Sequence, residues 1–344
     1  MTKYTLQSKY VQGKYFRGKC FFLITGLLVL AAFIASLLVG RYPISIVDIA
    51  AILTGGDADP VSRSVFLNLR LPRTGMALLA GAGLGMAGSV FQLVFKNPLA
   101  APDIVGVSSG ANLGAAAAIV FLGHSAALMA STAFAGGMLV LFLVVFVARL
   151  SRNPSTVTYI LAGIIMKAVS DALIMMLKYY ADPERELAAI EYWAMGSLGN
   201  ITAAKFAAMT PFFIIGFLGL ILMRRQIVIL GLEDDESRTL GVRLKVIRTA
   251  VLGLSALIVT SVISQTGLIA FTGLIAPHAA RLAIRRVSFA WCLLSALTGA
   301  LILLISDCLA RGISTFEIPI SIPTTFIGVP VLLFFMWRRK EGKV

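Results

Sequence analysis

Residues 70–111 read RLPRTGMALLAGAGLGMAGSVFQLVFKNPLAAPDIVGVSSGA. From Gly75 to Phe95 this stretch carries no charge. A helix needs about 20 apolar residues to cross the hydrocarbon core of a bilayer, and this run supplies them. Within it Ala77, Gly81, Gly85 and Ser89 recur every fourth residue. They form one small-residue stripe, which lets a second helix approach closely enough for dispersion and weak Cα–H contacts to hold the pair. The run then breaks. FKNPLAAPDIVGVSSG (95–110) places Lys96, Asn97, two prolines and Asp103 between apolar blocks. Pro98 and Pro102 remove backbone donors and predict that the helix stops there. Irregular backbone at membrane depth survives only where protein buries it or where it lines a watery cavity. The break therefore reads as a constriction, a protein contact or an ordinary tight turn.

The rest of the chain matches this reading. Of its 344 residues 58% are hydrophobic and 13% charged, where a soluble domain would carry about a quarter charged. Short alternating strands of a membrane barrel are absent from the pattern. The expected fold is an all-α polytopic membrane protein forming a single transmembrane domain over residues 1–344. About ten spans are predicted, at 20–40, 73–95, 104–122, 126–148, 157–178, 203–223, 248–265, 267–284, 289–311 and 320–337. The basic start precedes an apolar block with no small-residue cleavage site, which predicts a retained helix.

The net charge of +14 follows the topology rule better than it follows nucleic-acid binding, so no nucleic-acid partner is expected. Lys and Arg concentrate in the 1–19 segment, at Lys96, at Arg149 and Arg152, over 224–248, at 281–286 and in the tail. That pattern puts both termini in the cytoplasm and the acidic segment ADPERELAAIEYW (181–193) outside. The amphipathic 41–72 region also falls outside. GLEDDESRTLGVRLKVIR (231–248) falls inside, too polar for lipid, and reads as two short surface helices around Leu240–Gly241. Cys20, Cys292 and Cys308 lack metal-ligand spacing and read as small buried hydrophobes. No metal site and no cofactor are expected.

Residues 70–111 resemble the signature of the FecCD-type permeases, the membrane subunits of ABC importers for iron–siderophores, haem and vitamin B12. YILAG (159–163), EYWAMGSLGN (191–200), LGLEDDESRTLGV (230–242), GLIAFTGLIAPHAARL (267–282) and EIPISIPTTFIGVPVLLFF (317–335) extend the likeness in the family's order over nearly the whole chain. The resemblance implies a ten-helix subunit in the bacterial cytoplasmic membrane. It implies a second permease, identical or paralogous, with the path between the two. It further implies two cytoplasmic ATPase subunits and an extracytoplasmic binding protein. The chain itself has no GxxxxGK[ST] phosphate loop, so it is not expected to hydrolyse ATP. Among the family's substrates a ferric siderophore is expected here, with haem or cobalamin as alternatives.

The resemblance also carries residue roles. Glu233, Asp234, Asp235, Glu236, Arg238, Leu240 and Gly241 match the segment that seats in the ATPase. Asn97, Pro98 and Leu99, with Thr156 and Val157, match the two loops of the cytoplasmic gate, although Val157 breaks the hydroxyl pair that would suit the second. Arg70, Arg73 and Arg311 match outward positions that receive carboxylates of the binding protein, a task suited to bidentate guanidinium.

Outside those motifs, Lys167 and Asp171 share a helix face inside the fifth span. They read as a neutralised pair or as part of an aqueous path. Asp307 lies one turn before Arg311 and is expected to orient it. His278 reads as a helix-end packing residue. An ion-coupled secondary transporter would use Lys167, Asp171 and Asp307 as its relay. A metal-dependent membrane enzyme has too few histidines to draw on, with two in the chain.

Overall fold

The computed structural model describes residues 2–40, 42–123, 125–151, 155–232, 243–284, 286–313 and 316–340. Among these, the only regular structure is helical. The chain forms α1 (Thr2–Leu38), α2 (Ile46–Thr54), α3 (Pro60–Val65), α4 (Leu71–Val94), α5 (Val107–Phe121), α6 (Ala126–Leu150), α7 (Thr156–Tyr180), α8 (Ala188–Met195) and α9 (Ala203–Leu222). It continues with α10 (Arg224–Leu230), α11 (Leu244–Thr266), α12 (Thr272–Ala283), α13 (Phe289–Gly312) and α14 (Ser321–Lys340). Seven segments are long and apolar enough to cross a membrane: 18–38, 60–94, α6, α7, α9, α11 and α13. The shorter α5 and α12, and α14, whose apolar part runs only over Ser321–Phe335, lie at the three remaining places where spans were predicted.

The helix containing α4 is the centre. It runs from Pro60 to Val94 through a wide turn at Phe66–Arg70, and 83% of its most apolar window is buried, against 11% for α1. α13, α12 and α11 surround it. The predicted stripe is the reason α13 comes so close. A Cβ on Gly81 would fall on the carbonyl oxygen of Gly299, and one on Gly85 on that of Ser295. A second such contact joins α5 to α6, where Gly110 and Gly136 face each other's backbone. Among the described residues α7 packs chiefly on one flank, against α5, α6 and the short turn Pro102–Val105. Its other flank exposes Leu161, Ile165, Val169, Met176 and Tyr179.

The connection between α1 and α4 is ordered by capping. Ser45 and Asp48 form a capping box at α2. Asp59 caps α3, and the Ser62 N–H and hydroxyl donate to its carboxylate and hold it below its ordinary value.

Several expectations change. α1 extends back to Thr2, so the basic start continues the first helix. The eighth predicted span is half a helix. α11 ends at Gly267 (φ 71°), residues 267–271 run without helical structure, and α12 starts only at Thr272 after Phe271 in the left-handed region (φ 63°). The non-helical backbone is held by protein. Ser197 N–H donates to Thr266 O (2.7 Å), Ser321 Oγ donates to Leu268 O (3.0 Å) and the Ala270 N–H donates to Ser321 Oγ (3.3 Å). The three cysteines do not share one environment: Cys292 is buried, Cys308 half-buried and Cys20 exposed on α1.

Candidate functional site

The break after α4 is built by a helix stop one turn before Pro98. The Asn97 N–H donates to Gln92 O and the Lys96 N–H to Leu93 O, both at 3.2 Å, with Lys96 left-handed (φ 49°). This is a Schellman end with Lys where Gly is usual. Asn97 then turns the chain, its Oδ1 accepting from the Leu99 N–H (2.9 Å) and its carbonyl from the Ala100 N–H (3.0 Å). Pro98 is exposed and terminates nothing. The outcome is an exposed apolar side chain, Leu99, at 60% of its full accessibility.

The second expected gate segment lies at the same end of the bundle. Gly106 abuts the backbone of Gly163 and Lys167, so α5 starts against α7 about two turns in from the start of that helix. Ser155 and Thr158 form a capping box that fixes the start of α7. Thr156 is half-buried, and Val157, one residue further, is exposed at 61%. Each of the two segments thus carries one apolar side chain free of the fold.

The three arginines converge at the opposite end of α4, and they do not face outward. Arg70 is 5% exposed and donates to the carbonyls of Leu37, Leu38 and Tyr42. Arg73 pairs with Asp307 (2.8 Å) and Glu317 (2.7 Å). Arg311 pairs with Asp307 (2.6 Å) and donates to Ser36 Oγ (2.7 Å) and to Val39 O (2.9 Å). Asp307 is fully buried between the two guanidiniums. The expectation of outward-facing guanidiniums is corrected: two carboxylates and several carbonyls of this chain already occupy them. Sequence spacing showed the Asp307–Arg311 pair. The Arg73 partners lie more than two hundred residues away along the chain and gave no local signal.

Lys167 and Asp171 pair at 2.7 Å along α7, both partly exposed on the edge of its open flank. His278 packs edge-on to Phe335, with Nδ1 2.8 Å from Leu274 O, and lies in the middle of α12 instead of at its end. Glu233, Asp234, Asp235, Glu236, Arg238, Leu240 and Gly241 lie outside the described residues. α10, which the sequence reading missed, leads into them and is anchored by buried Ile227 and Leu230. No group of three His, Cys, Asp or Glu able to hold a metal occurs among the described residues.

The chain is similar to known proteins along most of its length. The molybdate import system permease of Haemophilus influenzae is 35% identical over 94% of this chain and 97% of its own. The hemin transport system permease of Yersinia pestis is 32% identical over 81% of this chain and 85% of its own. A solved metal-chelate type ABC transporter in an inward-facing conformation superposes with a TM-score of 0.83 at 32% identity, over 93% of this chain and 99% of that one. Such permeases are transport components of the cytoplasmic membrane, not enzymes. Residues 27–338 match the FecCD transport family, and the chain belongs to that family as a multi-pass permease of an ABC importer.

Proposed function

We propose that this chain forms half of the translocation path for a ferric siderophore, paired with a second permease, driven by two cytoplasmic ATPase subunits and supplied by an extracytoplasmic binding protein. The observation that carries the pairing is the open flank of α7. An ion pair at mid-span beside exposed Leu, Ile and Met does not face lipid without cost, because intramembrane charge is stabilised by water or a protein partner. A second permease covering that flank supplies both. Leu99 and Val157 then close the cytoplasmic end, and residues 233–241 seat in the ATPases. The binding protein docks at the end bearing Arg70, Arg73 and Arg311, which shape that surface from beneath.

The likeness to a metal-chelate type transporter supports the substrate reading. Molybdate is the second reading, favoured by the 35% identity to the molybdate permease. Uptake by proteoliposomes of the complete importer with its binding protein separates them. Radioactive iron supplied as a siderophore chelate is expected to accumulate with ATP, and molybdate, haem and cobalamin are not. Accumulation of molybdate alone would reassign the substrate.

A further inference from the structure

At the end of the bundle where α7 finishes and α9 begins, a cavity of about 190 Å³ lies beneath α8. Its walls come from the first turns of α6 and α9, from α8 and from the last turn of α11. Drug-sized ligands take cavities of about 300–1,000 Å³, so this one suits a small group, not a bulky chelate.

The lining is mixed, with Ala126, Met129 and Ala189 supplying apolar wall beside a set of polar side chains. Lys205 brings an ammonium, Asn200 and Gln265 bring carboxamides, Trp193 an indole N–H and Tyr192 a phenol. No carboxylate lines the cavity among the described residues. Glu191, the acid next to Tyr192, is held by Lys178 at 2.7 Å. The side chains of Lys205, Asn200, Gln265 and Trp193 have no hydrogen-bond or ion-pair partner among the described residues. Lys205 is half-buried, so its charge is only partly hydrated. Lys205, Gln265 and Trp193 are half-buried and Asn200 is exposed, so one cationic group and three further donors border a space open to water, a setting that suits an acceptor-rich anion. Trp and Tyr beside a Lys are also the side chains that settle at the level of lipid headgroups.

We propose that this cavity is an oxyanion site that binds one phosphate group, supplied by the headgroup of an anionic lipid or by free phosphate. The site adjoins the junction where α8 meets the end of α11. There Gly196 and Gly267 (φ 69° and 71°) lie backbone to backbone, and the Ile320 N–H donates to Gly196 O at 3.0 Å. A bound phosphate therefore ties α8 to α9 and α11 at a place where the helices themselves are interrupted.

The test uses the complete importer in two arms. In the first, the transporter is extracted from nanodiscs holding equal phosphatidylglycerol and phosphatidylcholine, and retained lipids are counted by native mass spectrometry. Wild type is expected to keep phosphatidylglycerol preferentially. Lys205→Gln is expected to reduce that preference about tenfold, the worth of one charge-assisted contact, and Lys205→Arg to preserve it. In the second arm, delipidated transporter in detergent is titrated with inorganic phosphate while tryptophan emission is followed, with Trp193→Phe as the control. A saturable response lost in Lys205→Gln identifies free phosphate as the source. Gln265→Glu, which places a carboxylate in the cavity, gives the same readouts should Lys205→Gln fail to assemble. If neither arm shows binding by wild type, or if Lys205→Gln and Gln265→Glu bind as wild type does, the site does not exist.

Discussion

Arg73 shows what a single residue does here. Its guanidinium bridges Asp307 on α13 to Glu317 in the following loop, while Arg311 neutralises Asp307 from the other side. Removing one partner from a buried pair costs on the order of 3–5 kcal/mol, because the remaining charge is left without compensation. Arg73→Gln is therefore expected to lower the melting temperature of the purified permease and its yield in the membrane. Asp307→Asn added to Arg73→Gln should recover part of that loss, since the uncompensated carboxylate is then gone. A docking residue free of the fold would behave otherwise: its substitution would weaken binding-protein affinity and leave the melting temperature unchanged. Both quantities, measured on the same preparation, decide between the two roles. The sequence made these arginines visible as cations where few were expected. It could not show their partners, because nothing local links Arg73 to Asp307.

At the scale of the element, small residues decide which helices touch. Gly81 and Gly85 put the backbones of α4 and α13 in contact, so even a methyl group has nowhere to go. Overpacking a close-packed core costs typically about 1–3 kcal/mol. Gly81→Leu is expected to reach or exceed the upper end of that range and to abolish transport. Gly253→Ala serves as the control, because a Cβ there meets nothing within 4 Å. It should be neutral, or stabilising by about 0.4–1 kcal/mol through the unfolded state. Thermal unfolding in detergent reads both.

The α4 stripe was legible because a period of four survives in any single helix. The matching contact between Gly110 and Gly136 was not, since it depends on how α5 and α6 happen to face each other. The apolar blocks likewise located the seven helices long and apolar enough to cross a membrane. They could not reveal that the eighth predicted span is half helix, because Gly267–Phe271 is as apolar as a helix would be and only its bonds to Ser197 and Ser321 set it apart. The end of α4 misled for a related reason. Proline is a visible stop, whereas a Schellman end at Lys96 is made by backbone geometry and leaves no strong mark in the sequence.

For the whole molecule, the one-sided packing of α7 and the exposed Leu99 and Val157 describe a subunit that is not finished by its own fold. Cysteine at Leu99 or Val157, in a background without Cys20 and Cys308, is expected to crosslink to the partner permease in the nucleotide-free importer. The yield should change when ATP is bound. Robust crosslinking from Leu139, which is exposed on α6, with none from Leu99 or Val157, would place the interface elsewhere. Charge reversal in the acidic 233–241 segment, Asp234→Lys with Asp235→Lys, is expected to abolish uptake while the subunit still reaches the membrane. Uptake at the wild-type level would remove that segment from energy coupling.

The interruption before α12 also bears on how the chain enters a membrane. Twelve helical residues rise about 18 Å, well short of a hydrocarbon core about 30 Å thick. A nascent chain released into lipid at Ala283 would leave the Leu268 carbonyl and the Ala270 N–H facing hydrocarbon, since Ser321, which binds both, has not yet been synthesised. α12 is therefore an element whose insertion waits for sequence that follows it, and a helix made later, α14, completes the backbone of one made earlier.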